Sequence, residues 1–361
     1  MNKLVLVLVA ALLGCRAAPA RPPLFLLLEA PPGDGAKWYL IEARTGERLA
    51  SGPGATTPTH IAYQRELGAL YASGSFGKRV VRLWPGPEQE VFAAPPGFLI
   101  VQLVTVSNPP RLLIGMRPEH LSSRHNTDWA LALDLAGGAG PTTVIKSDEY
   151  RLEFWQGGVQ PQTGVVLALR SRTAHPDQVS LVELKPDGTV TSIRDGLTAM
   201  GAAQGPSFGP GLGWVLLPLY AGRLIQAYPS LHKAPPYRSL PGSPTDVLPS
   251  PDGTQVVYPI DLGGIGCVVV DAAGRAVVSR RRWQKVCRVS LDWAPDGAQV
   301  AFMVEQVEGP QRWTHTVYVI DPATGRDSQV WGPGRGGGVY MAWGGVAYEL
   351  LEEWVPKAPT P

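Results

Sequence analysis

Apolar and polar positions along this chain alternate in short runs, and most runs end at a turn rich in Gly, Pro and Asp. Stretches such as "HIAYQ", "ALYAS", "RVVRLW" and "EVFAA" carry the period of two and the β-branched and aromatic residues of half-buried strands. No segment of helical period and length stands out. The pattern therefore predicts an all-β chain of many short strands joined by tight turns.

One phrase occurs twice: "SPDGTQVVY" begins at Ser250 and "APDGAQVAF" at Ala294. Each is a turn followed by a strand. Pro sets φ at the first corner, Asp caps the turn and Gly supplies the left-handed residue. A spacing of about 44 residues matches one four-stranded blade of a β-propeller. Less explicit units follow at about 57–93, 97–146, 152–195 and 197–240, and the two clear repeats head units at 243–283 and 286–333. The ends supply a seventh. "FLLLEAPPGDGAKWYLIEARTGERLA", from Phe25, parallels the last three strands of a blade, and "GVYMAWGGVAYEL", from Gly338, parallels a first strand. The expectation is a single seven-bladed propeller over 24–355, closed by pairing of its N- and C-terminal strands and followed by a tail at 356–361. Closure removes exposed sheet edges.

Composition agrees with many turns and few helices, with 42 Gly and 36 Pro in 361 residues. The formal net charge of +2, without a basic block, gives no nucleic-acid signal. The N-terminus, "MNKLVLVLVAALLGC", has one Lys and then an apolar run too short to span a bilayer, so residues 1–14 read as an export signal. Leu12-Leu13-Gly14-Cys15 resembles the lipobox of bacterial lipoproteins. That resemblance implies a lipid on Cys15, with the Pro-rich 16–23 as a tether, and an exported chain on the bacterial membrane, on the periplasmic side of an outer membrane where one exists. Cys267 and Cys287 are then either a disulfide in an oxidising compartment or two buried thiols.

Trp293-Ala294-Pro295-Asp296-Gly297 and the strand after it resemble the W-S-P-D-G repeat of TolB-type propellers, periplasmic proteins of the bacterial envelope. The likeness is clear in two units, with Pro249 in place of the Trp in one. It implies the fold and an envelope setting. It does not carry over the TolB partner, because the N-terminal α/β domain of that family has no counterpart here.

Two motifs with catalytic associations fail their context. Gly205-Pro206-Ser207-Phe208-Gly209 fits G-x-S-x-G but is followed by Pro210, Gly211 and Gly213 rather than a helix. "GRGGG", from Gly334, lacks the Lys-Ser/Thr of a phosphate loop. Propeller geometry puts the connections between second and third strands on one face and the Pro-Asp-Gly corners on the other. Long connections are expected at 117–128, 171–177 and 305–315. They carry the candidate binding residues Arg117, His120, Arg124, His125, His175, Arg312, Trp313 and His315, with Trp313 as an apolar anchor and the Arg residues as charged contacts. The alternative is that solvated loops simply collect such residues. No metal ligand set and no cofactor motif is read.

The functional expectation is a monomeric, lipid-anchored binding or scaffold module for an envelope protein or cell-wall component, reaching the membrane through its lipid alone. The other class is a propeller enzyme, lactonase-like or glycoside-cleaving, with carboxylates such as Asp246 and Asp292 meeting at the central channel. The same inner-strand carboxylates also serve to satisfy backbone amides.

Overall fold

The computed structural model describes residues from Leu24 to Ala342, except 29–36, 54–59, 121–127, 136–139, 199–206, 209–213, 228–247 and several shorter stretches. Every regular element among the described residues is a strand, and all pairings are antiparallel.

The strands form seven sheets. The first holds β1 (Leu24–Leu28), β2 (Lys37–Ile41) and β3 (Arg48–Pro53). The second holds β4 (Ile61–Gln64), β5 (Ala69–Gly74), β6 (Arg79–Trp84) and β7 (Gln89–Ala93). The third is built from β8 (Phe98–Val106), β9 (Arg111–Pro118), β10 (Trp129–Asp134) and β11 (Thr142–Lys146). The fourth is built from β12 (Tyr150–Val159), β13 (Val166–Arg172), β14 (His175–Leu184) and β15 (Val190–Thr198). Three strands make the fifth: β16 (Ser207–Phe208), β17 (Trp214–Leu219) and β18 (Gly222–Ala227). The sixth contains β19 (Leu248–Pro249), β20 (Gln255–Asp261), β21 (Ile265–Asp271) and β22 (Ala276–Val278). The seventh contains β23 (Val286–Trp293), β24 (Val300–Gly309), β25 (Arg312–Ile320) and β26 (Asp327–Arg335).

The last strand, β27 (Val339–Ala342), belongs to the first sheet. It pairs with β1 from Phe25↔Ala342 to Leu28↔Val339, so the two ends of the described chain share one sheet.

Core packing follows from the pleat. Leu40 packs with Ile61, Tyr63, Leu70 and Val81 of the second sheet, whereas its neighbour Ile41 packs with Ala301, Met303, Val317 and Val319 of the seventh. One strand thus joins both neighbours through opposite faces. Further apolar interfaces join second to third, third to fourth and sixth to seventh sheets. In the last of these, Trp283 stacks on Phe302 with centroids 4.6 Å apart. β16 touches both β12 and β19, linking the fifth sheet to its neighbours.

The Pro-Asp-Gly corners have the chemistry their sequence requires. Gly297 has φ 72°, its N–H donates to the Ala294 carbonyl at 2.8 Å, and Asp296 Oδ1 accepts from the Ala298 N–H at 3.0 Å. Asp252 accepts from Ser250 Oγ at 2.6 Å and the Thr254 N–H at 3.0 Å. Burial pushes its carboxyl up, but these hydrogen bonds outweigh that and hold it below the usual range.

Candidate functional site

Antiparallel order gives each sheet two ends. Turns between first and second and between third and fourth strands share one end, here the turn face. Connections between second and third strands, and from one sheet to the next, share the other, the hairpin face. The inner strands run alongside one another in register. Gln64 Nε2 at the end of β4 donates to the Val106 carbonyl at the end of β8, at 2.9 Å, and Thr105 Oγ1 donates to the Tyr63 carbonyl at 2.9 Å. The Phe154 N–H of β12 donates to Gln102 Oε1 of β8 at 3.4 Å. Gln64 and Gln102 are each 1% exposed, so these amides satisfy the backbone edges of neighbouring inner strands out of water.

On the hairpin face, the third and fourth sheets bring charges and rings together. Asp128 sits just before β10, its Oδ1 3.7 Å from Arg151 Nε at the start of β12. Burial raises its carboxyl above the usual range, Arg151, Arg117 and His120 oppose the rise, and Asp148 adds to it. Lys146 Nζ lies 4.2 Å from the Trp129 ring centroid, and Trp129 meets Phe98 edge-on at 5.3 Å. Arg170 and Arg172 lie over Tyr150 at 5.0 and 5.8 Å. Further down β12, burial pushes the half-buried Glu153 up to about 7.

The structure separates the residues singled out in the sequence. Arg117 is half-buried on β9, in register with Leu99, and acts on Asp128 together with the exposed His120. His175 opens β14 on the next sheet, exposed and in register with Arg172. Arg312 and Trp313 open β25 on the seventh sheet, in register with Gly309 and Val307. Arg124 and His125 lie outside the described residues, as do Cys15 and Asp246.

Two expected loops are hairpins instead. Strand pairing continues through 171–177 up to Arg172↔His175, and through 305–315 from Glu305↔His315 to Gly309↔Arg312. His315 is therefore inside the sheet, 1% exposed, with Nδ1 3.4 Å from Glu305 Oε2. It does not stand on a solvated rim. The ladder of backbone hydrogen bonds runs on to the tips of both hairpins, and polar content alone does not mark a loop.

Cys267 lies on β21, in register with Pro259, and Cys287 lies on β23 where the register shifts between Val286 and Arg288. Ser207 of the G-x-S-x-G match is in register with Leu216 of β17, so it sits in a hairpin rather than at a strand-to-helix elbow. Asp292 is in register with Ala301 on β24. Among the described residues, no group of three or more His, Cys, Asp or Glu is placed to hold a metal ion. The aromatic and cationic contacts of Phe98, Trp129, Lys146, Tyr150, Arg151 and Arg172 were missed in the sequence. Their signal was present only as Trp129 and Tyr150 sitting at strand starts.

No protein-family model matches the chain, and no curated protein matches it in sequence. Solved structures do resemble it. An oligogalacturonate lyase in complex with manganese superposes with a TM-score of 0.55 at 13% identity, covering 85% of this chain and 84% of that one. A protein from Lactobacillus plantarum gives 0.51 at 14% identity, covering 90% and 98%. TolB from Acinetobacter baumannii gives 0.45 at 11% identity, covering 89% and 82%, a likeness too low to argue from. At these identities the resemblance concerns fold alone: the chain has a β-propeller-type fold.

Proposed function

We propose that the chain is a seven-bladed propeller, closed through β27 and β1, that is held to a bacterial envelope membrane by a lipid on Cys15 and binds an envelope protein or cell-wall component through its hairpin face. Seven sheets, with the first packed on both the second and the seventh, support the blade count and closure. The lipobox-like Leu12 to Cys15 supports the anchor.

The observation that carries binding is the β24–β25 tip. Pairing of β23 with β24 starts at Val286↔Gln306, and pairing of β26 with β25 ends at Thr314↔Arg335. The paired positions Val307↔Trp313 and Gly309↔Arg312 lie beyond both, and Val307 is 40% exposed there. An exposed apolar residue beside Trp and Arg on a projecting hairpin has the composition of a binding hot spot. Replacing Arg312 and Trp313 together with Ala should reduce capture of envelope components by the tethered protein at unchanged thermal stability. Equal capture by the double variant overturns the reading.

A second reading, the propeller enzyme, is favoured by Glu153. A carboxyl titrating near neutrality on an inner strand is poised to donate or accept a proton. Turnover of a glycoside or lactone that Glu153→Gln abolishes without unfolding the protein would select it.

A further inference from the structure

We infer that the lipid anchor holds the propeller with its turn face toward the bilayer and its hairpin face directed away from it. This rests on the Cys15 anchor proposed above, and the partner surface it assigns to the turn face is a lipid bilayer.

The direction of β1 carries the inference. Leu24 is in register with Ile41, next to the β2–β3 turn, in which the Glu42 N–H donates to the Glu47 carbonyl. At the other end of β1, Leu28 is in register with Lys37, across the connection from second to third strand. The chain therefore enters the domain at the turn face. Ala342, in register with Phe25, leaves at that same face. The Gln64–Val106 and Tyr63–Thr105 contacts align the neighbouring inner strands, so the turn ends of these sheets coincide.

Length then limits the arrangement. Residues 16–23 span at most about 29 Å fully stretched, and about 25 Å in the extended form that Pro-rich chains favour. The first sheet, from which the tether leaves, is built on strands of five and six residues and is about 17–20 Å tall. Turning the hairpin face onto the membrane would use up most of the tether in passing that height. Attachment at the turn face uses none of it.

Charge adds that the turn face is tethered and not adhesive. Glu47, Glu66, Asp187, Asp252 and Asp296 are exposed on it, interspersed with exposed Arg48, Arg65, Lys185 and Arg326. The Thr189 N–H and hydroxyl hold Asp187 below the usual carboxylate range, so it stays ionised. A face on which the two signs nearly balance carries no basic cluster to hold anionic headgroups, so the lipid supplies the attachment.

The test uses the full exported, lipidated chain in phosphatidylglycerol-containing vesicles that carry an energy-transfer acceptor in their headgroups. A donor is placed at Glu47→Cys on the turn face or His175→Cys on the hairpin face, with the signal of the parent chain subtracted. Transfer should be several-fold stronger from position 47. Equal or reversed transfer in a chain that sediments with vesicles overturns the orientation alone. A parent chain that fails to sediment overturns the anchor and the orientation with it. The Cys15→Ser chain should stay in the supernatant at low and high salt; its sedimentation at low salt would show docking through surface charge and overturn the tethered arrangement.

Discussion

Gln64 donates from Nε2 to the carbonyl of Val106 at 2.9 Å, joining the inner strands of two neighbouring sheets through a side chain 1% exposed. Replacing it with Leu leaves that carbonyl without this donor in the interior. The expected loss is about 1–3 kcal/mol, read as a lower urea midpoint at unchanged slope. An unaltered midpoint would mean that water takes over the bond.

Two glycines with positive φ should respond differently to Ala. At Gly97, φ is 81° and an added Cβ meets nothing within 4 Å, so the cost is the left-handed backbone alone, about 1–2 kcal/mol. At Gly46, φ is 73° and the Cβ would lie 2.5 Å from the Val330 carbonyl oxygen on β26. Backbone must move there, so Gly46→Ala should destabilise clearly more than Gly97→Ala in parallel denaturant titrations.

Stability should fall with rising pH through the contribution of Glu153. Burial raises its carboxyl to about 7 in the folded chain, above the ordinary 4.5. The folded state therefore binds the proton more tightly, and the stabilisation is complete below the ordinary value and lost as pH climbs toward 7. The span is on the order of 3 kcal/mol at most. Glu153→Gln should flatten the difference in melting temperature between pH 5 and pH 8; an unchanged slope would assign it to other groups.

Removing residues 338–361 takes β27 from the first sheet and bares the edge of β1 over Phe25–Leu28. Aggregation or loss of cooperative unfolding is expected, since an unpaired strand edge templates association. A monomeric truncation with the parent's melting temperature would show that the pairing is dispensable.

A Cys267–Cys287 disulfide would close a loop of about 20 residues and contribute roughly 3 kcal/mol. Reduction should then lower the melting temperature and expose two thiols. Two free thiols in the oxidised protein by mass spectrometry would remove the bridge.

What the sequence showed plainly was local. The turns at Asp252 and at Asp296-Gly297 are specified within a few residues of sequence, and the β-branched and aromatic runs after them mark strands. The Gln64 and Gln102 contacts were invisible, because each depends on which strand lies alongside, about forty residues away or more. The hairpin tips are hidden from the sequence for a related reason. His175 and His315 sit in polar stretches, and only the register of the opposite arm decides whether such a stretch pairs or loops out. Trp129 and Lys146 come together because they are opposite one another in β10 and β11, a relationship that single-strand pattern does not contain.

The pairing of β1 with β27 also sets an order of events in folding. Leu28 and Val339 are neighbours in one sheet but more than three hundred residues apart in the chain. Closing so long a loop costs only slightly more than closing one of half the length, but contacts this distant form slowly. A chain crossing a membrane from its N-terminus delivers β1 first and its inner partner last. If the chain is exported as proposed, the segment "LFLLL" waits through the whole of translocation before its edge is covered. Its exposure to proteases and holding chaperones is therefore fixed by how fast the rest of the chain arrives, and a stall late in export would leave the first sheet as the part unprotected longest.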